Sequence, residues 1–320
     1  MPTRASIVIP TYNAAEYLHQ TLNSLLTQLG PNDELIVVDD GSTDNTPSLI
    51  KNYLDDRVQY IRLPNSGGPA HPRNVGCTKA KGEFVFIFDA DDLAAPGKVD
   101  RSISALESTT SADFLFTNFN TIDGNGAELE SRYIDRYVVL ERLRIHPMGN
   151  QTYYIPGTSM VTALLQANFI GTSSVVFRKS AWEKTRGFDE QFLHLDDRDM
   201  WLQLSLRGGA LLLDQCLHSY RNHQGGISKQ RIRKQHLERL VVAERLSLMP
   251  LSRQQRQSLR KFRARNYLKL GYIDFHETGN KSLSAIWFFN SFRYQPSLSA
   301  LKGLLKSYMP DRLYLLLRRS

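Results

Sequence analysis

Four short, mostly apolar runs, each closed by a turn signal, limit what this chain can become. They are Ala5–Pro10 (ASIVIP), Glu34–Val38 (ELIVV), Val58–Leu63 and Glu83–Phe88 (EFVFIF). Runs this short and this apolar fit strands buried on both faces of a parallel sheet. Residues 14–29, 43–54 and 69–80, which lie between them, place apolar side chains at helical spacing. The alternation predicts an α/β fold: a Rossmann-type mixed, mainly parallel sheet flanked by helices. Strands at 113–118, 170–177 and 210–214 and a helix at 196–206 continue the pattern, whereas 119–168 reads as an irregular insertion. From residue 229 onward only helical patterns occur, at 230–248, 252–278 and 281–294, with a last pair split by Pro310. The expected organisation is an α/β domain over 1–228 and an all-helical C-terminal extension over 229–320.

Charge divides the chain unevenly. The net charge of +8 combines 20 basic and 5 acidic residues from Gly226 onward with a preceding part that is net −7. Cys77 and Cys216 are too few for a disulfide framework or a metal knuckle, and read as buried thiols in a reducing compartment. Met1–Arg4 leads directly into the first strand without a secretory apolar stretch, so a cytoplasmic location is expected. The longest apolar clusters, 286–289 and 313–317, fall far short of a membrane span.

Ligands of open α/β sheets collect at the carboxyl ends of the strands. The acidic clusters Asp39/Asp40 and Asp89/Asp91/Asp92 both follow strands. After the first strand a Gly-rich phosphate loop is missing, and Pro10-Thr11-Tyr12-Asn13 stands in its place. Phosphate therefore needs another partner. Asp89-x-Asp91 offers one, because paired carboxylates can share Mg²⁺ or Mn²⁺ and leave positions open to phosphate oxygens. Three aspartates within four residues repel one another unless a cation offsets the charge. Each piece also has an ordinary explanation. Acids after strands form turns, Asp39-Asp40-Gly41-Ser42 fits a simple βα turn, and Asp196–Asp199 fits a helix start, where acids favour the dipole.

Taken in series, ASIVIPTYNAAEYL, ELIVVDDGSTDNT, NSGGPAHPRNVG and FVFIFDADD resemble glycosyltransferase family 2, which has the GT-A fold. IGTSSVVFRKSAWEKTRGFDE, LDDRDMWLQL and YRNHQGGIS extend the resemblance over roughly residues 5–228. It implies inverting transfer of a sugar from a nucleotide donor, with UDP favoured by family frequency. By position, Pro10, Thr11, Tyr12, Asp39 and Asp40 would cradle the nucleotide, with Asp40 the base contact. Arg73 and Asn74 would lie near the nucleotide or its phosphates. Asp89 and Asp91 match the D-x-D, with Asp91 the primary metal ligand. Asp196-Asp197 stands where the family has Glu-Asp, which makes Asp197 the general base and leaves Asp196 and Asp199 as alternatives. Arg221 and His223 would touch the diphosphate or the metal, and Gly187–Glu190 would form part of the acceptor edge. A metal neutralises charge on a leaving diphosphate, and one carboxylate takes the proton of the acceptor hydroxyl.

The basic tail has two readings. Arg253–Arg265 interleaved with Phe262, Tyr267 and Leu270, then Trp287–Phe292 and Leu301–Leu317, fit helices lying on an anionic membrane. They fit equally a bundle with a solvated basic face. Membrane contact suits transfer to a glycan or lipid-linked acceptor in bacterial cell-surface polysaccharide synthesis. A nucleic-acid-binding module lacks a recognisable motif here, and a non-catalytic nucleotide-sugar binder leaves the intact D-x-D and Asp197 without a purpose.

Overall fold

The computed structural model describes residues 2–143, 146–223 and 232–309. The chain divides into two compact units, Met1–Gly226 and Ile227–Ser320. The first opens with β1 (Ala5–Thr11), α1 (Leu18–Leu26), β2 (Asp33–Asp39), α2 (Thr46–Ile50), β3 (Val58–Arg62), α3 (Ala70–Lys79) and β4 (Phe84–Ile87). β1 pairs in parallel with β2 on one side and β4 on the other, and β2 pairs in parallel with β3. The chain thus steps outward to β3 and returns across β1 to β4. At such a reversal a crevice opens beyond the strand ends. Thr11 ends β1 there, and Asp89 follows β4 by two residues.

Both faces of β1 are buried, which is why its sequence reads as one apolar run. Ile7 and Ile9 join Leu18, Leu22 and Leu25 of α1 in the main core. Each such side chain contributes roughly 1.5–3 kcal/mol on burial. Val8 points the other way, against α3. Gly76 lets that helix approach so closely that a Cβ there would lie 2.2 Å from Val8 Cγ1.

The unit continues with β5 (Leu93–Ala94), α4 (Lys98–Glu107), β6 (Ala112–Asp123), β7 (Glu128–Glu130) and β8 (Thr152–Ile155). Then follow α5 (Gly157–Gln166), β9 (Val175–Arg178), α6 (Lys179–Trp182), α7 (Asp196–Ser205) and β10 (Gly209–Asn222). The sheet runs β3-β2-β1-β4-β9-β6-β10-β5, with β7 on β6 and β8 on β10. β9 lies antiparallel between β4 and β6, while β10 runs parallel to β6. The sheet is therefore mixed beyond β4.

Two sequence expectations need correction. Residues 119–168 are not an irregular insertion throughout: they hold the end of β6, β7, β8 and α5. Asn118, Asn120 and Thr121 hide that strand in the sequence, although Phe119 and Ile122 are buried. The expected strand at 210–214 is the first third of β10. Register shifts at Leu213/Cys216 and Cys216/Ser219 accommodate the polar Asp214 and Gln215, which look like a strand end in the sequence.

The second unit contains α8 (Ile232–Ser247), α9 (Arg253–His276), α10 (Lys281–Tyr294) and α11 (Leu298–Tyr308). Ser252 and Gln255 form a reciprocal capping box at the start of α9, while Asn280 and Ser297 cap α10 and α11. Phe288 of α10 fills the space left by Gly271 of α9 and Gly303 of α11. The last half of the expected helix pair, beyond Pro310, lies outside the described residues. No described helix is long and apolar enough to cross a membrane.

Gly76→Ala forces α3 away from β1 and should destabilise the first unit by about 1–3 kcal/mol. A denaturant midpoint equal to that of the unaltered chain would show that α3 is not pressed against Val8.

Candidate active site

Arg73 on α3 is buried and joins two acidic stretches. Its Nη1 donates to Asp196 Oδ2 at 2.5 Å and its Nη2 to Asp89 Oδ1 at 2.9 Å. Burial works against the guanidinium charge, but Asp196, Asp89 and Asp197 more than offset it and hold the group cationic. The ring of Phe188 lies 5.7 Å from the guanidinium carbon and meets Trp201 of α7 edge-on. The loop after β4 and the first turn of α7 are thus fastened to one side chain.

The three aspartates of α7 divide accordingly. Asp196 is spent on Arg73, and Asp199 faces Arg186 at 3.3 Å and accepts from Gln203 at 2.9 Å. Asp197 accepts from the backbone N–H of Arg198 and has no salt bridge among the described residues. Burial, then the neighbouring Asp196 charge, pushes its carboxyl up to about 7 against the opposing pull of Arg73.

At the other end of the loop, Asp91 Oδ2 lies 2.8 Å from His223 Nε2. The hydrogen bond to Asp91 raises the His223 pKa. Both groups are partly open. Among the described residues no cluster of three His, Cys, Asp or Glu is placed to hold a metal ion. A divalent cation here would take Asp91 and His223 from the protein and its remaining ligands from phosphate oxygens and water. Mg²⁺ and Mn²⁺ accept that division. The Oδ1 of Asp89 is engaged by Arg73.

Several residues expected at the nucleotide make hydrogen bonds within the protein. Arg221 is buried: its Nε donates to the Asp91 carbonyl, its Nη1 to those of Asp123 and Gly124, and its Nη2 to Gln20. Its backbone N–H also donates to Asp92. Every guanidinium nitrogen is occupied, so Arg221 fixes the aspartate loop. Asp39 is buried and accepts from the Ser42 N–H and the Tyr60 hydroxyl. Asp40 accepts from the N–H and hydroxyl of Ser66. Asn74 is engaged as well. Its Oδ1 accepts from the Phe188 N–H, and its Nδ2 donates to the Phe188 carbonyl and to Glu190. It clamps the Gly187–Glu190 loop, where Gly187 has φ +75° and a Cβ would lie 2.8 Å from Asn74 Oδ1. Pro10 and Thr11 are buried at the end of β1, while Tyr12 is exposed over the crevice end of that strand.

Sequence reading missed three participants. Ser173 Oγ accepts from the Asp89 N–H, and Lys98 and His218 are buried together with Asp92. Burial lowers Lys98 to about 7 and His218 well below its ordinary value, while burial and the charges of Asp91 and Asp89 raise Asp92. Lys98 follows Pro96 and Gly97, which look like a plain turn, so nothing in the sequence marks it.

Residues 6–183 match the family model described as Glycosyl transferase family 2. An uncharacterized glycosyltransferase of Haemophilus influenzae is 35% identical over 42% of this chain and 56% of its own length, so the chain spans little more than half of that relative. The putative teichuronic acid biosynthesis glycosyltransferase TuaG of Bacillus subtilis is 28% identical over 71% of this chain and 82% of its own. S. aureus TarS residues 1–349 in complex with UDP-GlcNAc superimposes with a TM-score of 0.70 over 95% of this chain and 89% of that one, at 19% identity.

Arg73→Met removes the partner of one buried and one part-buried carboxylate and should cost about 3–5 kcal/mol. Combined with Asp196→Asn, the loss should be clearly less than the sum of the single losses, because the two share one interaction. Additive losses in a thermal-unfolding cycle would show that the bridge is not formed.

Proposed function

The chain belongs to glycosyl transferase family 2, and on that premise we propose inverting transfer of a sugar from a nucleoside diphosphate to a hydroxyl acceptor. The observation that carries this reading is the Arg73 bridge, because it gathers Asp89 and Asp196 on one side chain. Asp91 lies two residues from the first and Asp197 next to the second. The proposed donor is a UDP-sugar bound at the β1–β4 crevice, supported by the UDP-GlcNAc complex of the structural neighbour TarS. A glycan or lipid-linked acceptor in cell-surface polysaccharide synthesis is supported by the name of the relative TuaG. The proposed setting is the cytoplasmic face of a membrane, supported by the basic balance of the C-terminal region.

In this scheme Asp197 removes the proton of the acceptor hydroxyl as its oxygen attacks the anomeric carbon. The bond from that carbon to the diphosphate breaks on the opposite face, and the nucleoside diphosphate departs with inversion. A carboxyl near 7 suits a base working close to neutral pH. Arg73 holds Asp196 beside it, and Asn74 holds the acceptor-side loop through Phe188. A divalent cation held by Asp91 and His223 would neutralise charge on the leaving diphosphate.

Donor hydrolysis and transfer are the tests. Asp197→Asn should lower kcat by about 10²–10⁴-fold and leave nucleotide-sugar Kd nearly unchanged. Because Asp197 must be ionised to accept a proton, and its pKa is raised to about 7, the rate should climb as pH rises through that value. A rate independent of pH across neutrality would take the base role from Asp197.

The hydrogen bond to Asp91 raises the His223 pKa, and a metal taking that nitrogen competes with the proton. Mn²⁺ affinity, read by calorimetry with UDP present, should therefore weaken as pH falls, and His223→Gln should flatten that dependence. Asp91→Ala should abolish the Mn²⁺ enhancement of nucleotide binding. If the unaltered chain binds nucleotide equally with and without Mn²⁺, metal assistance is wrong.

A further inference from the structure

The helix α11 is inside out. Its buried side is small: Ala300, Gly303 and Ser307 recur at helical spacing, with Gly303 against the Phe288 ring. Its large apolar residues face outward instead. Leu298, Leu301, Leu305 and Tyr308 are 74%, 39%, 61% and 77% exposed. At 3.6 residues per turn these four share about 80° of the helix circumference. On the adjoining helix α10, Ile286 and Phe289 are 53% and 56% exposed. A helix that only completed a bundle would turn this face inward.

Charge indicates what the face meets. From Thr278 to Met309 the sequence contains Lys281, Arg293, Lys302 and Lys306 and not one acidic residue. Lys302 and Lys306 are exposed and lie along one flank of the leucine stripe. Lysines bordering an apolar stripe can leave their stems among lipid chains and carry their ammonium groups to the headgroups. By contrast, the arginine-rich stretch of α9 does not form such a face. Phe262 and Leu270 are buried, and Arg263 is engaged by Glu244, Ser247 and Tyr294.

We propose that the α10–α11 face, centred on Leu301 and Leu305 and flanked by Lys302 and Lys306, seats this chain on an anionic lipid bilayer. The helices lie in the interface plane without crossing it. Anionic headgroups supply the attraction, and the leucines and Tyr308 enter the acyl boundary. This goes beyond the proposed transfer by naming the surface that brings the enzyme to its setting, and it does not depend on the identity of donor or acceptor.

Cosedimentation of the full chain with vesicles tests it. The unaltered protein should bind vesicles of mixed phosphatidylglycerol and phosphatidylcholine, bind weakly to phosphatidylcholine alone, and be released by salt. Leu301→Asp with Leu305→Asp should lower the bound fraction by about tenfold or more. Lys302→Glu with Lys306→Glu, which leaves the apolar stripe intact, should lower it too. Both double variants should keep the thermal midpoint and the donor-hydrolysis rate of the unaltered chain, so a failed surface and a failed catalytic reading are told apart. The proposal is overturned if the unaltered chain ignores anionic vesicles or if the leucine variant binds them equally well. It is also overturned if that variant alters only the mass seen by light scattering, since a second copy of the chain would then cover the face.

Discussion

The guanidinium of Arg73 is the interaction on which the arrangement of the first unit depends. A buried cation between carboxylates from separate stretches of chain is costly unless each charge is matched, and here Asp89 and Asp196 match it. A lysine would present one point of charge, whereas the planar fork reaches both acids at once. The loop after β4 and the start of α7, more than a hundred residues apart in sequence, therefore hold one another in place. The ring of Phe188 lies against this fork and in turn meets Trp201, so the Gly187–Glu190 loop joins the same assembly.

Around that bridge, the polar residues fall into two kinds. Asp39, Asp40, Asn74 and Arg221 have their hydrogen-bonding capacity used by neighbouring turns and carbonyls. They set the shape of the crevice. Asp91 and His223 are partly open, Tyr12 is exposed, and Asp197 has no salt bridge among the described residues; these are the groups to which the proposed chemistry is given. For Asp39, Asp40 and Arg221 this follows from burial, since a polar group cut off from water must find a partner in the protein.

The parallel half of the sheet was legible because β1, β2 and β4 are buried on both faces and their sequences carry that burial openly. The crowding of Asp89, Asp91 and Asp92 stood out as well, since like charges so close together ask for a cation or an arginine, and Arg73 reaches Asp89. What the residues alone left open was which charge would be satisfied from within. Arg221 is adjacent to Asn222 and near His223 in sequence, yet only the folded loop shows it turned toward the Asp91, Asp123 and Gly124 carbonyls. Lys98 gave no signal, because a lysine after a turn is ordinarily solvated. The full length of β6 and β10 was hidden by Asn118, Asn120, Asp214 and Gln215, polar side chains that the sheet tolerates through local bulges and specific partners. Asp214, for instance, accepts from Asn118 and Arg132.

The irregular register of β10 has a bearing on how such a chain diversifies. In a regular strand, gaining or losing one residue turns every later side chain to the opposite face. β10 slips between Leu213 and Cys216 and again between Cys216 and Ser219, so its two ends are phased separately. The end beside β8 can drift with its neighbouring loops while Arg221 and His223 keep their orientation toward the aspartates. Mutation can thus explore new partners at one end of this strand without retuning the other, an economy that a straight ladder would not permit.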